Sequence, residues 1–300
     1  MNNKNKVVII LILSSILIVL STVVAQVKGA QKSTGNKLSE IQEDQSTELE
    51  NKDNSQYIDM DLAKDIEAYF QENGIDHEKV AYCITDLEHN IKYSMNEKDE
   101  FIAASIYKLP LAMLYYDKVN DGEYTLDSTF TYSGYMHEDA GVVSSNYGIG
   151  SQIPLSDLLD DLIEYSDNDA GHILYENLGG WKEYKEAMTK YTDSISENYY
   201  TEDNVSTANT MNDVVTYLYE HKEDYKDLIE NMEKAEPGEY LDRDTQLSMP
   251  QKYGMYDSAL NSVGFVECNT PYSIVVLTDL GDKGADVMAN INRIAYEHFK

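Results

Sequence analysis

Predicted strands at both ends of the chain, separated by a long helical region, constrain the fold more than any other feature. Residues 80–95 (VAYCITDLEHNIKYSM) predict two strands, 80–87 and 91–95, joined by a short polar turn. Apolar runs near the end predict two or three more, with strands at about 260–267 and 272–278. We therefore predict an α+β fold, an α/β sandwich in which the N- and C-terminal strands form one antiparallel sheet flanked by helices. The 91–95 strand would lie at an edge, and the middle of the chain would form an inserted helical lobe.

The rest of the chain divides by hydrophobic periodicity and turn residues into helices and irregular segments. Two segments read as irregular, 121–152 and 192–206. We find no internal repeat, and residues 58–300 are long enough for one sizeable core, so we predict a single domain there. The predicted helices are 60–69, 104–119, 154–165, 169–178, 181–191, 207–221, 223–235 and 283–299.

The first thirty residues have the pattern of an export segment. Lys4 and Lys6 precede an apolar run from Val7 to Ala25, which as a helix would span roughly 28 Å, close to the hydrocarbon thickness of a bilayer. Residues 1–30 are therefore a cleaved signal peptide or an uncleaved membrane anchor. Both alternatives place the remainder on the extracytoplasmic face of a bacterial cell. Residues 31–57 are polar and predict a disordered spacer.

The net charge of −31 excludes several classes of partner. Nucleic acid and anionic lipid surfaces would both repel such a chain. We therefore expect membrane contact only through the N-terminal segment, and a monomer. His137-Glu138-Asp139 lacks spaced ligand partners elsewhere, so we predict neither a metal site nor a cofactor. Cys83 and Cys268 lie in strand-like runs and predict two half-buried thiols, although the compartment would permit a disulfide.

Three short motifs follow one another along the domain. Ser105-Ile106-Tyr107-Lys108 is a Ser-x-x-Lys at the start of a predicted helix, where residues three apart share a face. Ser166-Asp167-Asn168 follows the helix that ends at Tyr165. Lys252-Tyr253-Gly254 precedes the last predicted strands. A serine beside a lysine is a nucleophile beside a base, provided that the amine is neutral.

The apolar neighbours of Lys108 favour the neutral amine. From an ordinary pKa of about 10.4, a shift to near 7 costs roughly 4 to 5 kcal/mol, and burial or a second cation can supply it. Pro110 is tolerated only in the first turn of a helix, so the helix begins close to Ser105. A helix start also offers a free backbone N–H for an oxyanion.

The three motifs, in this order, resemble the Ser-x-x-Lys, Ser-Asp-Asn and Lys-Thr-Gly set of class A β-lactamases and penicillin-binding proteins. The resemblance covers roughly residues 60–300 and implies the same antiparallel sheet with a helical lobe. Three further segments are similar to the family: Leu178-Gly179-Gly180, Ser206-Thr207-Ala208 and Pro271-Tyr272 before SIVVLTD.

The resemblance also implies roles for individual residues. Ser105 would form the acyl-enzyme, Lys108 would take its proton, and Ser166 would relay a proton to the leaving nitrogen. Asn168 would hold the substrate amide, and Lys252, beside Gly254, would attract the substrate carboxylate. The N–H groups of Ser105 and Met255 would form the oxyanion hole. The substrate would be a small molecule such as a β-lactam, or a peptidoglycan peptide.

Two departures from the family pattern bear on activity. The third motif has Tyr253 where the family has a threonine or serine hydroxyl that helps to bind the substrate carboxylate. The stretch 192–206 lacks the family's deacylating Glu-x-x-Leu-Asn; Glu197 and Glu202 are its only candidates, and neither has the right followers. We therefore expect slow deacylation. The alternatives are a D-Ala-D-Ala carboxypeptidase or transpeptidase, and a non-catalytic wall-binding module.

Overall fold

The computed structural model describes residues 62–134, 141–245 and 247–300. All of them belong to one compact unit, which spans Ile58–Lys300. The helices, in chain order, are α1 (62–73), α2 (Lys108–Asn120), α3 (Val142–Asn146), α4 (Leu155–Ile163), α5 (Asn168–Asn177), α6 (Trp181–Met188), α7 (Ala208–Glu220), α8 (Lys226–Lys234) and α9 (Lys283–Phe299). The strands are β1 (Val80–Asp86), β2 (Ile91–Met95), β3 (Phe101–Ile102), β4 (Thr129–Thr131), β5 (Gln152–Pro154), β6 (Val205–Ser206), β7 (Gln251–Tyr256), β8 (Ala259–Val266) and β9 (Tyr272–Asp279). Short 3₁₀ turns cover His77–Lys79, Ala104–Tyr107, Thr189–Tyr191 and Lys222–Tyr225.

Five strands form one antiparallel sheet in the order β2-β1-β9-β8-β7. The first strand of the domain lies directly against the last, with Val80 opposite Thr278 and Asp86 opposite Tyr272. Both strands are buried almost throughout, which explains their continuous apolar sequences. In β2 burial is partial, as is typical of an edge strand. The predicted fold class is confirmed, and the 91–95 strand lies at an edge.

Each face of the sheet is covered by its own hydrophobic cluster. The N- and C-terminal helices α1 and α9 pack together on one face, where Phe70 and Ile291 meet the strand residues Ile274 and Val276. The helical lobe covers the other face through α2 and α4 to α8. The site motifs lie on the lobe side, because Asn261 of β8 contacts the backbone at Ile102 there.

The main difference from the predicted elements is β7. Residues 251–256 (QKYGMY) form a full edge strand paired with β8, although the sequence shows no apolar alternation there. Its buried positions are Gln251, Lys252 and Gly254, so the strand is fixed by tertiary contacts rather than by hydrophobic pattern. The segment 121–152 was expected to be irregular, yet it also contains β4 and α3, and β5 begins at its end.

The two cysteines are free thiols. Cys83 is buried in β1 among the residues of the lobe-side cluster, whereas Cys268 packs against the cluster on the opposite face. Burial raises the pKa of Cys83 to about 12. The sheet therefore separates the two sulfur atoms.

No helix among the described residues is long and apolar enough to cross a bilayer. The predicted export segment and the polar spacer lie outside the described residues, as does His137-Glu138-Asp139. Where the structure describes the chain, it contains no group of three His, Cys, Asp or Glu side chains that could hold a metal ion.

Candidate active site

Ser105 lies in the 3₁₀ turn Ala104–Tyr107, which runs directly into α2. Its side chain is half-buried. Ala104, the residue before it, adopts a left-handed backbone with φ of 50°, a conformation that non-glycine residues rarely take. Pro110 occupies the first turn of α2, so the predicted helix start near Ser105 agrees with the structure.

Two asparagines fix the backbone of the Ser105 turn. Asn204 Nδ2 donates to the carbonyl oxygen of Ala104 at 2.8 Å, and the Asn204 carbonyl accepts from the N–H of Ala103 at 2.8 Å. On the sheet side, Asn261 Nδ2 donates to Ile102 O at 2.8 Å and to Ala103 O at 3.1 Å. These bonds explain how the left-handed residue beside Ser105 is held in place.

Lys108 is fully buried one turn after Ser105. Its Nζ donates to Asn168 Oδ1 at 2.7 Å, to Ser166 O at 2.5 Å and to Ser166 Oγ at 3.3 Å. Burial lowers the pKa of Lys108 to about 7, against the opposing effect of the Asp167 carboxylate. The first and second motifs are therefore in direct contact through an amine that is partly neutral near pH 7.

The Ser166–Asn168 segment forms the sharp connection between α4 and α5. Ser166 has a left-handed backbone with φ of 55°. Asp167 is buried and caps α5, accepting from the N–H of Ala170 at 2.8 Å, and it also accepts from the N–H of Val143 at 3.2 Å. Because Asp167 is held at both oxygens, the flanking Ser166 and Asn168 keep fixed positions beside Lys108.

The third motif reaches the nucleophile turn through Gly254 of β7. A Cβ atom at this position would lie 2.6 Å from the backbone N of Ser105 and 2.8 Å from that of Ile106. Only glycine permits this approach of two backbones. The next residue, Met255, has an exposed side chain. Its backbone comes directly after Gly254, the residue that approaches Ser105.

Lys252 is fully buried. Its Nζ donates to the carbonyl oxygen of Tyr253 at 2.8 Å and lies 4.2 Å from the centre of the Tyr253 ring. Burial, together with the charge of Lys108, lowers the pKa of Lys252 well below its ordinary value, and Glu236 opposes the shift. The charge of Lys108 thus acts on Lys252. The lowered pKa of Lys108 is caused by burial, and the contribution of a second cation that the sequence suggested is not among its causes.

The loop 192–206 is anchored by a buried lysine that the sequence analysis missed. Lys185 of α6 donates to the carbonyl oxygens of Thr201 and Asp203, both at 2.7 Å, and lies about 5 Å from the rings of Trp181 and Tyr199. Glu197 and Glu202, the two candidate deacylating bases, are both exposed.

The structure therefore brings segments of the three motifs together, although the described residues show no hydrogen bond between the side chains of Ser105 and Lys108. Lys108 contacts Ser166 and Asn168, Gly254 contacts the Ser105 turn, and Lys252 and Met255 flank Gly254 on β7. The model of the β-lactamase enzyme family matches residues 61–299. The chain belongs to this family.

Solved structures of β-lactamase-fold proteins superpose on the chain at low sequence identity. An acyl-enzyme complex of a PBP-A variant with penicillin G gives a TM-score of 0.68 at 16% identity and covers 80% of this chain and 96% of that one. The extended-spectrum β-lactamase TLA-1 gives 0.67 at 21% identity, with 79% and 97% covered. A β-lactamase from Chitinophaga pinensis gives 0.62 at 22%, with 73% and 93% covered. These similarities agree with the mixed helical and antiparallel fold.

Proposed function

We propose that the protein is an extracytoplasmic serine hydrolase that opens β-lactam or related amide bonds through an acyl-enzyme on Ser105. One observation carries the proposal: a fully buried lysine with a pKa near 7 lies one turn after Ser105 and contacts Ser166 and Asn168. Perturbed amines of this kind are typical of catalytic bases. The extracytoplasmic location is supported by the charge order of residues 1–30.

In the proposed acylation step, Ser105 Oγ attacks the substrate carbonyl carbon while neutral Lys108 Nζ takes the hydroxyl proton. The oxyanion accepts hydrogen bonds from the N–H groups of Ser105 and Met255. Protonated Lys108 then passes a proton to Ser166 Oγ, which gives its own proton to the leaving nitrogen as the C–N bond breaks. Asn168 positions the substrate amide. The products of this step are the Ser105 ester and a neutral amine.

Deacylation is the slow half of the proposed cycle. Attack of water on the Ser105 ester needs a general base positioned beside that ester, and the side chains of Glu197 and Glu202 are both exposed to solvent. The ester would therefore accumulate rather than turn over rapidly. A β-lactam would then act as a persistent modifier of the enzyme.

Covalent labelling of Ser105 tests the proposed function. Penicillin G at high concentration and a small neutral fluorophosphonate are each expected to add one adduct, and the penicillin adduct should persist after the free drug is removed. Intact-mass analysis followed by peptide mapping measures both. The Ser105→Ala variant, which keeps the fold because a half-buried side chain loses only its hydroxyl group, should remain unlabelled. If neither reagent forms an adduct with the wild-type protein, the proposal is overturned.

The rate of labelling should depend on pH through Lys108. Since its pKa is about 7, the neutral base is scarce at pH 5.5 and predominates at pH 8.5. We expect the acylation rate constant to rise about tenfold for each unit of pH below 7 and to level off above it. Labelling reactions quenched at successive times, from pH 5.5 to 9, measure the acylation rate constant as a function of pH. If the acylation rate constant reached half of its maximum only near pH 10, Lys108 would not be the base.

A further inference from the structure

The amine of Lys252 already interacts with a residue of its own strand, β7. Its Nζ donates to Tyr253 O and lies against the Tyr253 ring, and the whole side chain is fully buried. A substrate carboxylate could reach this nitrogen only by displacing the ring or the hydrogen bond. The position that carries a small hydroxyl in the family carries a large aromatic ring here.

The Tyr253 ring is itself held in place. It stacks on Tyr240 with ring centres 4.8 Å apart and planes 22° from parallel. Such a stacked pair stabilises both rings beyond their area burial. Tyr253 is therefore a rigid cover of Lys252 and not a side chain that swings away at low cost.

The nearby carboxylate of Glu236 also disfavours an anion beside Lys252 and Tyr253. Glu236 is exposed and acts electrostatically on Lys252, on Tyr253 and on Tyr240. The chain has only two arginines, and both are engaged at α9: Arg243 pairs with Asp286 at 2.9 Å, and Arg293 donates to Asn290. That helix lies on the opposite face of the sheet from the lobe.

We propose that this site selects acyl donors whose leaving side carries no free carboxylate, with Tyr253 as the specificity-determining residue. The inference rests on the proposed function. The donors it favours are esters and internal amides, in which the residue after the scissile bond is neutral. A peptide that ends in a free carboxylate next to that bond is disfavoured, which separates this site from a carboxypeptidase.

A matched pair of β-lactams tests the inference. Penicillin G and its methyl ester share the same reactive ring and differ in the carboxylate. We expect the second-order rate constant for Ser105 acylation of the wild-type protein to be at least about tenfold higher for the ester, because an anion left without a partner is rejected. Tyr253→Thr, which uncovers Lys252 and restores a hydroxyl, should reverse the preference. Tyr253→Phe keeps the ring and should retain the wild-type ratio, and thermal unfolding shows whether each variant folds.

The outcomes separate the two proposals. The inference is wrong and the hydrolase remains if the free acid acylates the wild-type protein as fast as the ester. The same holds if a folded Tyr253→Thr variant keeps the wild-type ratio. If the fluorophosphonate labels Ser105 but neither β-lactam does, the inference is also wrong. If none of the three reagents labels Ser105, the proposed function fails and the inference fails with it.

Discussion

Replacement of Lys108 by methionine is expected to abolish acylation of Ser105 while making the protein more stable. Loss of the base should lower the labelling rate constant by at least about 10²–10⁴-fold, the usual contribution of a positioned proton acceptor. Methionine has a similar length and lacks a group that must be neutralised. Bringing the lysine pKa from about 10.4 to 7 corresponds to about 4 to 5 kcal/mol. Part of this cost is offset by the hydrogen bonds to Ser166 and Asn168, so we expect a net gain of about 1–3 kcal/mol at pH 7.

The gain from Lys108→Met should depend on pH with a definite sign. Between pH 7 and about 10.4 the unfolded lysine holds a proton that the folded lysine has released. The wild-type free energy of unfolding therefore rises with pH across this window, and the advantage of the variant shrinks. Chemical denaturation at pH 6.5 and 9.5 measures the difference. Lys226→Met, at an exposed surface lysine of α8, serves as the control and should leave the denaturation midpoint near that of the wild type at both pH values. If the Lys108→Met protein were less stable than the wild type at pH 6.5, the expected free-energy cost of burying the Lys108 amine would be contradicted.

Replacement of Gly254 by alanine is expected to slow acylation of Ser105 by displacing the backbone of the Ser105 turn. The new methyl group would lie 2.6 Å from Ser105 N and 2.8 Å from Ile106 N, and neither backbone atom can move alone. The 3₁₀ turn must shift, and the N–H of Ser105 then leaves its position for the oxyanion. We expect acylation to fall about 10²–10³-fold, as on loss of one oxyanion donor, with destabilisation of about 1–3 kcal/mol from overpacking.

The control for Gly254→Ala is Gly148→Ala. At Gly148 an added Cβ meets no atom within 4 Å, so the same chemical change should leave both labelling and unfolding near wild type. Rates of fluorophosphonate labelling and denaturant midpoints measure the pair. Wild-type labelling by Gly254→Ala would show that the close approach of β7 to the Ser105 turn is not needed for reactivity.

Much of the fold was predictable because its strongest elements follow simple periodicities. The final helix begins and ends as expected, at 283 and 299, and β1 and β9 are continuous apolar runs. Strand β7 was missed for a physical reason. Its buried residues include a glutamine, a lysine and a glycine, which stay in a strand because Gln251 and Lys252 find partners within the folded protein.

The candidate site was predictable where its chemistry is local and missed where it depends on distant backbone. Ser105 and Lys108 share one turn, and the other two motifs could be placed from their resemblance to the family. Asn204 and Asn261 escaped notice because their partners are carbonyl oxygens 100 or more residues away. A single asparagine carries no sign of such a contact. Lys185 was missed likewise, since its partners are the carbonyls of an irregular loop.

The pairing of β1 with β9 has a consequence for how the chain acquires its structure. Val80 and Thr278, which face each other across the sheet, are roughly 200 residues apart, and contacts this remote slow the search for the native state. The middle strand is the last to emerge during synthesis. A nascent chain stopped before residue 272 lacks the central strand of its sheet. The helical lobe therefore cannot pack on a complete sheet, and its apolar surfaces stay unprotected, until synthesis is nearly complete.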